Sequence, residues 1–108
     1  MDNLTNTIKN ITLYYIKKHY LKYLKDNNLD RIENNTIKEL VSDFYHNKDM
    51  EIKTYIRSTM KKNFPDYSTN FALKTGTEEI ILEMFEDSEF SISKVVLEIE
   101  NFQNYKKN

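Results

Sequence analysis

The sequence has no cysteine and no tryptophan, and it has only one glycine and one proline. Without cysteine the chain has no disulfide, no thiolate metal site and no cysteine nucleophile. Because Gly76 and Pro65 are the only strong turn formers, long strands joined by tight turns are disfavoured. The missing residues therefore favour a helical protein.

Long apolar runs are missing as well. The longest extend over only a few residues, so we expect no segment that crosses a membrane. Asn, Thr and Lys interrupt the N-terminal region, where a secretory signal would need a continuous apolar core. We therefore expect an intracellular protein, located in the cytoplasm or in a host cell.

Five residue types dominate the composition. Asn, Lys, Ile, Tyr and Phe make up 52 of the 108 residues. Their codons are AT-rich, which indicates an AT-rich genome such as that of a large DNA virus, a phage, a low-GC bacterium or a similarly biased eukaryote. Apolar residues at 39 % and charged residues at 31 % are ordinary for a globular chain, and the length suits one domain.

Apolar residues recur at helical spacing along most of the chain. The first predicted helix runs from about residue 4 to residue 25 and stops at residues 26–28. The second starts at Asn35 or Thr36, because Thr36 and Glu39 have the spacing of a capping box.

The third predicted helix uses Asp49 as its N-cap and ends before Pro65, since the residue before a proline avoids helical angles. A loop follows over residues 65–76, with Phe71 and Leu73 as its anchors.

The fourth predicted helix starts at Thr75 or Thr77, and a short strand over residues 80–82 is the alternative. The fifth starts near Ser91 and has the cleanest apolar stripe in the chain. That stripe consists of Ile92, Val95, Val96, Ile99 and Phe102.

These segments predict an all-α fold: a single domain over residues 1–108, built as a small bundle of four to five helices. The two parts of the chain differ in charge. Residues 1–65 have twelve Lys/Arg and eight Asp/Glu, for a net charge of +4, whereas residues 66–108 have four Lys/Arg and nine Asp/Glu, for a net charge of −5. A basic three-helix half (residues 1–64) therefore precedes an acidic helical half (residues 75–106).

A basic stripe lies opposite the core face of the first predicted helix, within the sequence YYIKKHYLKYLK at residues 14–25. The predicted core face is Leu13, Ile16, Tyr20, Tyr23 and Leu24, and the basic stripe is Lys18, Lys22 and Lys25, flanked by Tyr14 and Tyr15. The third helix has a second stripe: Lys53, Arg57 and Lys61. If both stripes face the same way, they form a patch for a phosphate backbone, and Tyr14 or Tyr15 can stack on an unpaired base.

Two alternatives compete with that interpretation. A lysine run on a helix is commonly a solvated face, and Tyr20 and Tyr23 fit the core better than a stacking platform. The fourth helix has an acidic stripe of Glu79, Glu83 and Glu86, which can contact a protein partner or pair with the basic helices, within the chain or across a dimer.

Patterns that resemble metal or catalytic sites break down. Asp26, Asn28 and Asp30 match the start of an EF-hand loop, but Arg31 replaces its glycine and Ile37 its glutamate. Two histidines without cysteine do not make a typical zinc site, and there is no glycine-rich phosphate loop or nucleophile elbow. We therefore predict a non-enzymatic protein with no metal and no cofactor.

Residues 21–62 resemble the DEK C-terminal domain family. Leu29 and Ile32 match its short segment between the first two helices. The matching positions of the second and third helices are Thr36, Ile37, Leu40, Phe44, Asp49 and Ile56. Two positions depart from the family: Lys48 replaces an apolar residue and Tyr45 replaces a glycine. The resemblance implies a small helical bundle that binds DNA and can self-associate.

Three functions are compatible with these patterns. The first is binding of nucleic acid, or of a nucleic-acid-handling complex, through the basic helix faces. The second is a phage- or virus-encoded inhibitor, of the anti-defence or anti-CRISPR type, that binds a host nucleic-acid enzyme through the acidic half. The third is a structural homo-oligomer, such as a homodimer, in which the stripe of the fifth helix pairs with its copy.

Overall fold

A computed structural model describes the backbone of residues 2–107 and the side chains of residues 3–105. Met1 and Asn108, at the ends of the predicted domain, lie outside the described residues, as does the side chain of Lys106. The described chain forms five α-helices and no strand, which confirms the predicted all-α fold. The helices are α1 (Asp2–Asp26), α2 (Asn34–His46), α3 (Asp49–Asn63), α4 (Phe71–Glu86) and α5 (Ser88–Lys107).

The bundle is elongated, with extents of 44 × 25 × 23 Å. Helix α1 packs against α2, α3 and α4, while α2 and α5 form the most extensive pair. All five helices contribute to one core, and the loops add Ile32 and Tyr67. Ile92, Val95 and Ile99 of the predicted α5 stripe are buried in this core. That stripe is therefore used within one chain and is not available to a second copy.

Helix α1 ends as its sequence predicts, because Asn28 adopts a left-handed conformation with φ 59°. The N–H of Leu29 donates to the carbonyl of Leu24 at 2.9 Å, and the N–H of Asn28 donates to the carbonyl of Lys25 at 3.2 Å. This pair of bonds is the Schellman motif, in which asparagine is the usual substitute for glycine.

Both predicted N-caps of the basic half are wrong. Helix α2 begins at Asn34, because the carbonyl of Glu33 already accepts the first helical bond, and Thr36 therefore lies inside the helix. In α3 the N-cap is Lys48, and Asp49 is the first helical residue. The Asp49 carboxylate contacts Lys53 at 3.4 Å, and its place in the first turn suits the helix dipole.

Helix α4 begins four to six residues earlier than predicted, so the predicted loop over residues 65–76 is too long. The side chain of Asn70 accepts a hydrogen bond from the Leu73 N–H at 3.0 Å and caps the helix. Gly76 is consequently a buried residue inside α4 rather than part of a loop. Phe71 is 81 % exposed and anchors nothing, whereas Leu73 packs against the core.

The side chain of Gln103, near the end of α5, joins three parts of the fold. It is 4 % exposed. Its Oε1 accepts from the Tyr20 hydroxyl at 2.7 Å and from the Ile32 N–H at 2.8 Å, and its Nε2 donates to the Ile32 carbonyl at 3.0 Å. A carboxamide offers the donor and the acceptor that an unpaired backbone residue needs. We refer to Gln103, Tyr20 and Ile32 as the Gln103 clamp.

We predict that Gln103→Leu lowers the free energy of unfolding by about 3 kcal/mol or more, because Tyr20 and both backbone groups of Ile32 lose their buried partner. Tyr20→Phe leaves the pairing of Gln103 with Ile32 intact and should lower the free energy of unfolding by about 1 kcal/mol. Urea unfolding measures both changes. The control is Asn104→Leu at the exposed neighbouring position, which should change stability by less than about 0.5 kcal/mol. Equal losses for the two leucine variants would contradict the clamp.

Candidate nucleic-acid interface

One face of α1 presents Lys18, Leu21, Lys22 and Lys25, which we call the lysine face. All four side chains are exposed, and Leu21 is 38 % exposed. Together with His19 they line a shallow depression of about 380 Å³. The Lys22 ammonium contacts the Asp26 carboxylate at 2.6 Å, and this is the one ion pair formed by these lysines among the described side chains. The three predicted lysines of α1 therefore share one accessible surface.

The two tyrosines that flank this stripe have different surroundings. Tyr14 is 61 % exposed and continues the line of Lys18, Leu21 and Lys25 along the helix. Tyr15 packs against the rings of His19 and Tyr55, with centroids 4.4 and 4.6 Å away. Burial and the nearby Glu51 carboxylate raise the pKa of Tyr15. Only Tyr14 is thus positioned to stack on a base.

His19 has a structural role at the contact between α1 and α2. Its Nδ1 donates to the Tyr15 carbonyl at 3.0 Å, since a carbonyl can only accept. Its ring packs against Phe44 of α2 at a centroid distance of 4.9 Å. The histidine therefore joins α1 to α2 beneath the lysine face.

Two of the three predicted cations of α3 contact side chains of α4. Lys53 lies over the ring of Phe85, 4.8 Å from its centroid, and Arg57 pairs with Glu78. Lys61, one turn further along, is exposed. Tyr55 of α3 instead contacts Tyr15 of α1, with ring centroids 4.6 Å apart. The structure therefore does not bring Lys53 and Arg57 together with the lysine face in one patch.

Arg57 and Glu78 form a two-point contact between α3 and α4. The guanidinium Nε and Nη2 donate to the two carboxylate oxygens at 2.8 and 2.7 Å. These hydrogen bonds lower the pKa of Glu78 from its usual 4.5, against a smaller opposing effect of burial, and the same bonds raise the pKa of Arg57. The planar fork of arginine fits a carboxylate in this way, which lysine cannot reproduce.

The pattern of the acidic stripe does not include Glu78, whose role in the structure is to pair α4 with α3. It lies three residues before the buried Ile81 and seven before Phe85, so it sits at the edge of the packed face of α4. That register is the sequence signal that could have found it. The stripe residues Glu79, Glu83 and Glu86 lie further round the helix and are exposed.

These three glutamates surround Leu82, which is 62 % exposed, and we call Glu79, Leu82, Glu83 and Glu86 the glutamate face. None of the three carboxylates forms an ion pair with any side chain from residue 3 to residue 105. The acidic stripe therefore does not pair with the described basic side chains of the same chain, which was one of the predicted alternatives. The face stays available to a partner.

Hydroxyl groups in and beside the core have hydrogen-bond partners, and that of Ser91 links α5 to α4. The hydroxyls of Thr12, Thr77 and Ser91 donate to backbone carbonyl oxygens. Burial, partly offset by a hydrogen bond with Ser91, raises the pKa of Tyr45 to about 12, so this phenol is protonated at neutral pH. No three His, Asp or Glu side chains of the described chain converge as a metal site.

The five helices, over the part of the chain that the structure describes, include none with the length and apolar character needed to cross a membrane. No family model, curated protein or solved structure matches the chain. The resemblance of residues 21–62 to the DEK C-terminal domain stays a prediction.

We predict that Arg57→Ala lowers the free energy of unfolding by about 0.5 to 1 kcal/mol at neutral pH, a small value because both side chains are partly exposed. Since the pKa of Glu78 is lowered in the folded state, the stabilisation exists above pH 4.5 and is lost as the pH falls through that lowered pKa. The cost of Arg57→Ala should therefore disappear near about pH 2.

Urea unfolding of both proteins at the two pH values measures this difference. Lys61→Ala, on the same helix, is the control and should have little effect at either pH. A cost of Arg57→Ala that is the same at both pH values would show that Glu78 is not its source.

Proposed function

We propose that the protein is a non-enzymatic nucleic-acid-binding module whose contact surface is the lysine face of α1. The observation that carries this proposal is the exposure of Lys18, Lys22 and Lys25 on one side of a single helix. From Lys18 to Lys25 the helix rises about 10 Å, over which one DNA strand presents about three phosphates. The three ammonium groups thus suit consecutive phosphates of one strand.

The charge around this face supports the same function. Helix α1 contains five lysines and only two acidic residues, Asp2 and Asp26. Asp26 engages Lys22 in an exposed pair, and such pairs cost little to break. Exposed Tyr14 extends the face and can stack on an unpaired base. In this proposal Lys53 and Arg57 hold α3 against α4, and Lys61 is outside the main contact.

A second function is favoured by the glutamate face. Glu79, Glu83 and Glu86 are exposed around a leucine that is also exposed, which is the arrangement of an apolar anchor with a polar rim. Such a face suits a basic channel on a nucleic-acid enzyme, as an inhibitor of a host enzyme requires. Inhibition assays on such enzymes test it: Glu79/Glu83/Glu86→Gln should abolish inhibition, and unchanged inhibition would reject this face.

We predict that the protein binds duplex DNA, single-stranded DNA or RNA in a salt-dependent manner. Three phosphate contacts on a duplex give a slope of about −2.7 in a plot of log affinity against log salt, or about a 40-fold loss between about 50 and 200 mM. Fluorescence anisotropy with the three labelled nucleic acids measures affinity and slope. The variant Lys18/Lys22/Lys25→Gln should lose most of the binding and nearly all of the slope.

The matched control is Lys38/Lys62/Lys94→Gln, which removes the same charge from exposed positions on α2, α3 and α5. It should keep the slope of the wild-type protein. No binding by the wild-type protein to any of the three nucleic acids would reject the function, and equal losses in the two variants would reject the lysine face as its site.

A further inference from the structure

The lysine face and the glutamate face have the same spacing with opposite charge. Lys18, Leu21, Lys22 and Lys25 follow the order charge, leucine, charge, charge at i, i+3, i+4 and i+7. The glutamate face repeats this order with Glu79, Leu82, Glu83 and Glu86. In each face an exposed leucine therefore has one charged residue on one side and two on the other.

Neither face is satisfied within the chain. The two leucines are 38 % and 62 % exposed, although α1 and α4 pack against each other through other residues. Among the described side chains only Lys22 of the six charged residues has an ion-pair partner, and that partner is Asp26 of the same helix. The complementary surfaces of one molecule thus form no ion pair with each other among the described side chains.

We propose that the lysine face of one copy docks on the glutamate face of a second copy. With the two helices antiparallel and Leu21 opposed to Leu82, the lysines and the glutamates lie on the same side of the leucine contact, and each lysine is level with a glutamate to within about two residues of helix rise, or about 3 Å. Three lysines of one copy and three glutamates of the other then lie beside the leucine contact. A twofold dimer makes this contact twice, and an open assembly makes it once per copy.

A second copy fits this surface better than an unrelated partner because both halves of the contact occur, in the same register, on this chain. The formal net charge of −1 leaves little overall repulsion between copies. Each face is small and its ion pairs are exposed, so we expect weak association, detectable from about 100 µM protein at low salt. Added salt should reverse it.

Charge-swapped variants test the proposal by sedimentation equilibrium at low salt, without nucleic acid. One variant is Lys18/Lys22/Lys25→Glu and the other is Glu79/Glu83/Glu86→Lys. The apparent mass of the wild-type protein should rise with concentration from 13.0 kDa towards twice that value or beyond. Each variant alone should stay at the monomer mass, because both of its faces then have the same sign.

The decisive sample is an equimolar mixture of the two variants. In the mixture one variant has two acidic faces and the other has two basic faces. The two variants can therefore bind each other, and the concentration-dependent mass should return. Lys38/Lys62/Lys94→Glu, which has the same net charge as Lys18/Lys22/Lys25→Glu, is the matched control and should keep a concentration-dependent mass, weaker than that of the wild-type protein because the copies repel each other more. Lys22→Glu and Glu83→Lys repeat the exchange with one change each, in case a triple variant fails to fold.

A wild-type protein that stays monomeric at all concentrations would overturn the proposal and leave both faces to foreign partners. Variants that associate alone, or a mixture of folded variants that stays monomeric, would overturn it as well. Because nucleic acid is absent from every sample, these outcomes are independent of the function proposed for the lysine face.

Discussion

The carboxamide of Gln103 is the contact on which the arrangement of the bundle depends. It binds the hydroxyl of Tyr20 in α1 and both backbone groups of Ile32 in the α1–α2 connection, at sequence separations of 83 and 71 residues. Ile32 is buried in this connection, and its N–H and carbonyl would destabilise the folded state if they had no hydrogen-bond partner. The clamp supplies that partner, and it holds the end of α5 against α1.

This constraint determines which side of α1 is left for function. Tyr20 must face Gln103, and Ile16 and Leu24 lie on the same buried side, so the opposite side with Lys18 and Lys25 faces outward. The Arg57–Glu78 pair acts similarly on α4, because it fixes one edge against α3 while the glutamate face stays outside. Nucleic acid and a second copy would therefore compete for the same lysines.

Much of this architecture follows from local patterns. Helical periodicity predicts a bundle of four to five helices and the buried stripe of α5. Asn28 and Pro65 account for the ends of α1 and α3. These features are properties of neighbouring residues. The predicted start of α4 was wrong because Asn70 caps this helix within a segment that lacks the apolar spacing of a helix. The contacts of Gln103 and Arg57 join residues distant in sequence, and no local pattern specifies such partners.

The central claim is that the outward side of α1, and not the cations of α3, contacts nucleic acid. The most direct measurement is a ¹⁵N–¹H correlation spectrum recorded while duplex DNA, single-stranded DNA and RNA are added, each to a separate sample of labelled protein at low salt. We expect shift changes concentrated on α1 from Tyr14 to Lys25, with Arg57 and its neighbours in α3 unchanged. Changes centred on Arg57 and Lys61, or no changes at all, would contradict it.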